Sequence, residues 1–420
     1  MPSLVPLILR ARVVLPVRRP PIENGVVVID GERITAVGRW VTVRKHFQGE
    51  VQDLGDVILM PGLVNAHCHL DYTHMAGLFP PQKSFCDWIK LITTEKAHWI
   101  YSDYAKSWVE GAKMLLRSGT TTVGDIEAVP ELLPEVWDAT PLRVISFLEM
   151  TGVRSRLKPE LILREAVERI DSLSNAHCSA ALSPHAPYST PPALVRRSAT
   201  TARRRKLRVT THVAESAAEF EMFTRARGEM FDWLRRNQRD MSDCGKLSPV
   251  QHLARQHALG PHLLAIHVNY LAKGDAQLLA RSKTNVVHCP RSHDYFRHTA
   301  FPFGALTRAG VNICLGTDSL ATVRKHPKRE VELNLFLEMR KFAADHPTVS
   351  ALEIIRMATL NSANALGLRG KVGELSRNAQ ADLIALPCSG RIGDVAEAVV
   401  RHGDGVAASM IGGAWAIPPK

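Results

Sequence analysis

The sequence predicts a (β/α)8 TIM barrel carrying a small composite β-sandwich module, and three observations predict it. Eight short apolar or β-branched runs follow one another, helix-length segments separate them, and ionisable residues close several of the runs. The runs are VILMPGLVNAHCHL (57–70), TTTVGDI (120–126), LRVISFLEM (142–150), CSAALSPHAPYS (178–189), LRVTTHVAES (207–216), LLAIHVNYL (263–271), TNVVHCPRS (284–292) and VNICLGTDS (311–319). Eight parallel strands close a barrel whose active site gathers at the C-terminal strand ends. His67, His69, His185, His212, His267 and Asp318 all stand at such ends.

Between the runs, SDYAKSWVEGAKMLLRSG (102–119), PELILREAVERIDSLS (159–174) and KREVELNLFLEMRKFAADH (328–346) repeat apolar residues every three or four positions, the period of a helix with one buried face. Residues 1–56 and 370–420 read instead as short strands and turns, among them GVVVIDGERITAVGRW and ADLIALP. The two ends are expected to meet as the β-module, leaving 57–369 for the barrel. Charges interrupt the N-terminal apolar run and no basic segment precedes it, so it reads as a first strand rather than a leader.

A hydrophobic fraction of 45% and a charged fraction of 22% are those of an ordinary globular chain, and no apolar stretch is long enough to span a bilayer. The seven cysteines, Cys68, Cys86, Cys178, Cys244, Cys289, Cys314 and Cys388, show no CxxC spacing. Their odd number argues against a disulfide framework and for a reducing, cytoplasmic setting. The net charge of +12 has its densest local source at Arg203, Arg204, Arg205 and Lys206. That run ends PPALVRRSATTARRRK (191–206), a pattern suited to a helix with one solvated face, and no nucleic-acid motif accompanies it. A nucleic-acid partner is therefore not expected.

In an extended strand alternate residues share a face, so His67 and His69 of HCH present both imidazoles inward while Cys68 faces the helices. His212 of THVAES supplies a third nitrogen, and Asp318 of LGTDS a carboxylate that also accepts a proton from water. This donor set suits one divalent ion, Zn²⁺ first, with Fe²⁺ and Mn²⁺ permitted by ligand type. Such an ion makes hydroxide available as a nucleophile by lowering the pKa of water from about 16 towards 7. His267 is placed to hydrogen-bond the water or the developing tetrahedral centre. Glu215, three residues after His212, is placed to shuttle protons to a ring nitrogen and then to the leaving group. A lone buried histidine is more often a core residue than a ligand; the set at separate strand ends carries the reading.

The segments PGLVNAHCHL, SPHAPYS, THVAES, HVNYL and LGTDS resemble, in order, the five signature segments of the amidohydrolase superfamily, over about residues 50–390. KVGELSRNAQADLIAL is similar to that superfamily's return into the β-module. The resemblance is strongest to the branch holding cytosine, guanine, adenosine and S-adenosylhomocysteine deaminases, aminodeoxyfutalosine deaminases and triazine hydrolases. It implies metal ligands at His67, His69, His212 and Asp318, proton shuttling at Glu215 and polarisation by His267. Binuclear members carry a bridging lysine at the end of strand four; CSAALSPHAPYS has none, which implies a single ion. His185 resembles a residue that contacts the substrate ring, with packing as its alternative role. The resemblance also implies a homo-oligomer.

After strand seven many of these deaminases read CPxSN, whereas this chain reads Cys289-Pro290-Arg291-Ser292-His293. Arg291 and His293 therefore either bind an anionic or carbonyl group of the substrate or brace the loop. Residues 71–100, with Tyr72, His74, Phe85 and Trp88, read as a lid with stacking surface, Trp88 being the candidate contact. Residues 217–260, with Phe223, Phe231 and Trp233, are placed to wall the pocket. The expected partner is a small heterocyclic substrate, and the expected reaction is hydrolytic deamination of an adenosine- or aminodeoxyfutalosine-like aminopurine compound. Triazine dechlorination, N-dealkylation and cyclic-amide opening use the same machinery. A non-catalytic binding barrel is disfavoured because every expected polar position is filled.

Overall fold

The computed structural model describes residues 5–152, 157–325 and 331–419. The chain first lays down β1 (Leu7–Val14), β2 (Ile22–Asp30), β3 (Arg33–Arg39), β4 (Glu50–Asp53) and β5 (Val57–Pro61). The strands β6 (Leu63–Cys68), β7 (Thr120–Glu127), β8 (Arg143–Met150) and β9 (Ser179–Pro184) follow. After them come β10 (Val209–Val213), β11 (Leu263–His267), β12 (Asn285–His288) and β13 (Ile313–Leu315). The chain ends with β14 (Leu383–Pro387), β15 (Ala408–Ile411) and β16 (Ala414–Ile417).

Strands β6 to β13 pair in sequence order, each parallel to the next, as the (β/α)8 reading requires. The other sheet runs β16-β15-β14-β5-β1-β2-β3, with β4 added on β1, so strands from both chain ends share it. Its buried face joins Leu9, Val27, Ile34 and Leu59 to Leu383 and Met410.

One strand assignment is corrected. The run 57–70 is two strands: β5 pairs antiparallel with β14 in the terminal sheet, and only β6 enters the barrel. The break falls at Gly62, where a Cβ would stand 2.1 Å from Thr121 Oγ1, so only a residue without a side chain lets the chain cross there. Apolar residues on both sides hide this boundary from a hydropathy reading.

The barrel closes at the top. Thr317 and Asp318 donate their backbone N–H groups to the His67 carbonyl at 3.0 and 3.2 Å, and Asn65 Nδ2 donates to Thr317 Oγ1 at 2.7 Å. At Gly316 a Cβ would lie 2.8 Å from the same His67 carbonyl, so the close approach needs glycine. These contacts lock His67 and Asp318 side by side. Inside, Val64, Phe147, Ala181, Ile266, Val287 and Cys314, drawn from strands around the whole sheet, fill the barrel as one apolar cluster.

The helices follow the expected periodicity. The helix Tyr101–Arg117 buries Tyr104, Trp108, Ala112 and Leu115 along one face, each large apolar side chain contributing roughly 1.5–3 kcal/mol. The helix Pro192–Arg205 buries Leu194, Val195, Ala199 and Ala202, while Arg197 and Arg205 pair with Glu160 and Asp171 on its outer side. The third expected helix runs over Leu335–Asp345, capped by Asn334, whose side chain accepts from Phe336 N at 2.9 Å; residues 328–330 of the expected span lie outside the described residues. All seven cysteines are free and buried. Among the described residues no helix is long and apolar enough to cross a membrane.

Candidate active site

Four barrel strands bring their terminal polar residues to one point. His67 and His69 come from the end of β6, His212 from β10, His267 from β11, and Asp318 from just beyond β13. His67 Nε2 and His69 Nε2 stand 3.6 and 3.7 Å from Asp318 Oδ1. Those gaps exceed a good hydrogen bond, but tetrahedral ligands about 2.1 Å from a Zn²⁺ lie about 3.4 Å from one another. Ligand atoms of His67, His69 and Asp318 lie within 4.8 Å of one another, as do those of His67, His212 and His267. Among the described residues, His67 Nδ1 and Nε2, His69 Nδ1 and His267 Nε2 are buried without a hydrogen-bond partner. Of these, His67 Nε2 and His267 Nε2 both face the Asp318 carboxylate, at 3.6 and 4.0 Å, and bare imidazole nitrogens beside a carboxylate fit a cation as the missing partner. Cys289 also falls within 4.8 Å of His267 and Asp318, but burial holds its thiol well above the ordinary range and so protonated.

Strand alternation accounts for His67 and His69, with Cys68 packed outward beside Leu70 and Trp108. It does not account for His267 or Asp318. Leu264 and Ile266 of β11 point into the barrel and Ala265 packs in the helix-side core, so regular alternation would turn His267 outward. His267 instead adopts φ 72° and the following Val268 φ 51°, while Asp318 has φ 56°. Left-handed backbone at such residues costs roughly 1–3 kcal/mol each. The turn is held by Val268 N donating to Val213 O and Asn269 N to Ala214 O, both at 3.0 Å.

Burial pushes the His69 and His212 imidazoles well below their usual pKa and His267 down to about 3, so all three are neutral near pH 7. His212 Nδ1 faces the His185 carbonyl at 2.9 Å and must donate to it, which leaves the Nε2 lone pair free for an ion. Burial opposes charge on Asp318, but contact with His67 and the nearness of His267 and His69 outweigh it and hold that carboxyl well below the usual range. Neutral imidazoles around an ionised carboxylate are the protonation states a metal requires. Glu215 shows the opposite behaviour. Burial, with Asp318 and Glu219 adding, raises its carboxyl well above the usual range, and its Oε1 lies 3.5 Å from His267 Nε2.

Glu219, absent from the sequence reading, holds Glu215 in place. Its fully buried carboxylate accepts from the backbone N–H of Ala214 at 3.1 Å and of Glu215 at 2.9 Å. Burial raises Glu219 from 4.5 to about 7, despite those two bonds. A carboxyl whose pKa rises on folding favours the fold fully below the unfolded pKa, and that stabilisation is lost as pH climbs through the folded value. Relative to Glu219→Gln, the protein is therefore expected to lose about 3 kcal/mol of unfolding free energy between pH 4.5 and 7. Denaturant titrations of both proteins at the two pH values check this, and a difference independent of pH would contradict it.

A cavity of about 390 Å³ opens onto the centre. Trp88, Ile89, Tyr188, Trp233 and Leu234 form its apolar wall, and His185, Glu215, His267 and Asp318 line its floor. Trp88 and His185 thus stand where the sequence places them, and Trp233 walls the pocket from the segment 217–260. His74 is exposed, and Phe223 does not line the cavity but is buried behind its wall, in the apolar cluster that includes Tyr188 and Leu234. Arg291 and His293 do not line this cavity. The Arg291 guanidinium is bound to the buried Glu338 and donates to Glu332 O at 2.9 Å, while His293 Nδ1 meets Asn269 Oδ1 at 3.0 Å. Both brace the loop. Lys96 and Glu149, which the sequence reading passed over, do line the cavity. Lys96 was legible by spacing: it follows Trp88 and Ile92 at successive intervals of four along the helix Phe85–Lys96.

Residues 58–415 match the amidohydrolase family. The chain is 31% identical to a 5-methylthioadenosine/S-adenosylhomocysteine deaminase of Syntrophobacter fumaroxidans, over 86% of this chain and 80% of that protein. It is 27% identical to a 5'-deoxyadenosine deaminase of Methanothermobacter thermautotrophicus, over 87% of this chain and 81% of that one. Its fold superposes with a TM-score of 0.82 on a zinc-bound adenosine deaminase of Xanthomonas campestris, at 25% identity, over 99% of this chain and 93% of that chain. The length of the match, the barrel and the converging histidines and aspartate agree: the chain belongs to the amidohydrolase family.

Proposed function

We propose that this protein is a metal-dependent deaminase that hydrolyses the amino group from an aminopurine nucleoside or a related compound. The observation that carries the reading is Glu215, a buried carboxyl whose pKa burial and Asp318 raise well above the usual range, facing His267 at an apolar cavity beside a donor set fit for a cation. The deaminase names of the relatives support it. His67, His69, His212 and Asp318 would hold a single divalent ion, and their nitrogen and carboxylate donors favour Zn²⁺. When bound, the ion supplies the Lewis acidity that makes hydroxide available near neutral pH.

The chain's own residues do the rest. Asp318, ionised, accepts the proton that water gives up. Glu215 hands its proton to the ring nitrogen as the water oxygen bonds to the amino-bearing carbon. As a carboxylate it then takes the proton of that added hydroxyl and passes it to the amino group, so that the carbonyl forms, the C–N bond breaks and ammonia departs, and the proton held by Asp318 restores Glu215. His267 Nε2, 3.5 Å from Glu215 Oε1 and 4.0 Å from Asp318 Oδ2, is placed to hydrogen-bond the attacking water or the developing tetrahedral centre. Trp88 and Trp233 supply flat apolar surface against the ring and keep bulk water away.

An ammonia-release screen of the zinc-loaded protein over adenosine, 5'-deoxyadenosine, methylthioadenosine, S-adenosylhomocysteine, aminodeoxyfutalosine, cytosine, guanine and chlorotriazines tests the reading. Turnover is expected on an aminopurine nucleoside. Turnover confined to triazines or pyrimidines, or absent throughout, would overturn it.

A further inference from the structure

A second cavity, of about 350 Å³, lies at the other end of the barrel from the catalytic one. Asn312, which lines it, directly precedes β13, whereas Asp318, in the catalytic cavity, follows that strand. Arg356 comes to it from the helix Ala351–Met357, Asn361 from the helix Leu360–Ala365, and Arg369 from the segment that returns to the terminal sheet. Arg18, from the segment between β1 and β2, closes it together with Glu374. The pocket is therefore built jointly by the foot of the barrel and the terminal module.

Three guanidinium groups meet one carboxylate here, which leaves two positive charges in excess. The Glu374 side chain is only 3% exposed and accepts from Arg18 Nε at 2.6 Å and from Arg18 Nη2 at 2.9 Å, so both of its oxygens are engaged by one partner. Arg356 and Arg369 are exposed, and their guanidinium groups have no hydrogen bond or ion pair among the described residues. The wall behind them is fixed: Asn312 Nδ2 donates to Asn285 Oδ1 at 2.9 Å and to the Asn361 carbonyl at 3.1 Å, and Asn361 Nδ2 donates to the Ile313 carbonyl at 2.9 Å. A guanidinium has only donors to offer, in a planar fork that fits two oxygens of one anion. A carboxylate would offset one of the two excess charges. A phosphate ester, with close to two negative charges at pH 7 and three acceptor oxygens, offsets both and can take a fork from each arginine. The volume falls within the roughly 300–1,000 Å³ of small-molecule sites, which leaves space for the organic part of the ester. We propose that this cavity binds a small phosphate ester, at a site distinct from the catalytic one.

Calorimetric titration of the zinc-loaded protein with ribose 5-phosphate, inorganic phosphate and ribose, at constant ionic strength set with chloride, tests the site in the wild type, Arg356→Met and Arg369→Met. Neither arginine has a partner in the fold, so both variants should keep the wild-type Tm and zinc content. Ribose 5-phosphate should bind the wild type and raise its Tm, inorganic phosphate should bind more weakly, and ribose should not bind. Each substitution should weaken ribose 5-phosphate by roughly 10- to 100-fold, the scale of hydrogen bonds between charged groups. No heat from either phosphate compound would overturn the site, as would heat that ribose reproduces. An affinity for phosphate that both substitutions leave unchanged would also overturn it, since that is the result of phosphate binding at the zinc centre. Inorganic phosphate binding as tightly as the ester would refute the ester as its ligand. A DNA duplex that binds through both arginines while ribose 5-phosphate does not would replace the small ligand with a polymer and equally refute the proposal.

Discussion

Glu215→Gln is expected to lower kcat by roughly 100- to 10,000-fold, the range general acid–base groups contribute, while leaving the metal content unchanged. Glutamine keeps the shape and remains able to hydrogen-bond, but it has no proton to transfer at neutral pH. Because burial, Asp318 and Glu219 hold the Glu215 carboxyl well above its usual range, the wild-type side chain is protonated when substrate arrives. Activity that needs this proton falls as pH rises through that raised pKa, and the variant should lack the corresponding limb of the pH–rate profile. Steady-state kinetics across pH, alongside metal analysis, checks both points. A variant with wild-type kcat would remove Glu215 from the chemistry.

The second large effect concerns the cation. Asp318→Asn removes the carboxylate that lies 3.6 Å from His67 Nε2 and 3.7 Å from His69 Nε2, leaving three imidazoles to hold a divalent charge alone. Zinc per chain should fall to about a tenth of wild type or less after dialysis, and activity below roughly a thousandth, since water without an ion has a pKa of about 16 rather than about 7. His67→Ala should behave alike. Arg291→Ala offers the contrast: its guanidinium serves Glu338 and the Glu332 carbonyl rather than the cavity, so the change should cost stability and leave zinc content intact. It leaves the buried Glu338 carboxylate uncompensated, a change of the kind that costs several kcal/mol.

Much of the site was legible because barrel strands end in the residues that work. His67, His69, His212, His267 and Asp318 each close an apolar run, and the structure gathers them as that position implies. The illegible part lies in the backbone and in pairings distant along the chain. No pattern of residue types signals that His267, Val268 and Asp318 adopt left-handed φ values, and strict alternation would have turned His267 away from the centre. Gly62 marks a change of sheet rather than a bend within one strand, because its space is taken by Thr121, nearly sixty residues away. Arg291 looked available to a substrate only because its partner, Glu338, lies on a helix beyond the eighth strand. Glu149 closes an apolar run exactly as the histidines do, and the same rule applied evenly would have found it.

The proposed chemistry needs one cation held jointly by residues from β6, β10 and the segment after β13. An anomalous-difference map at the zinc edge, from crystals of the zinc-loaded protein, tests that most directly. The expected result is a single strong peak within bonding distance of His67, His69 and His212 nitrogens and an Asp318 oxygen. A map with no peak among these residues, or with a second peak of equal height beside the first, would contradict it.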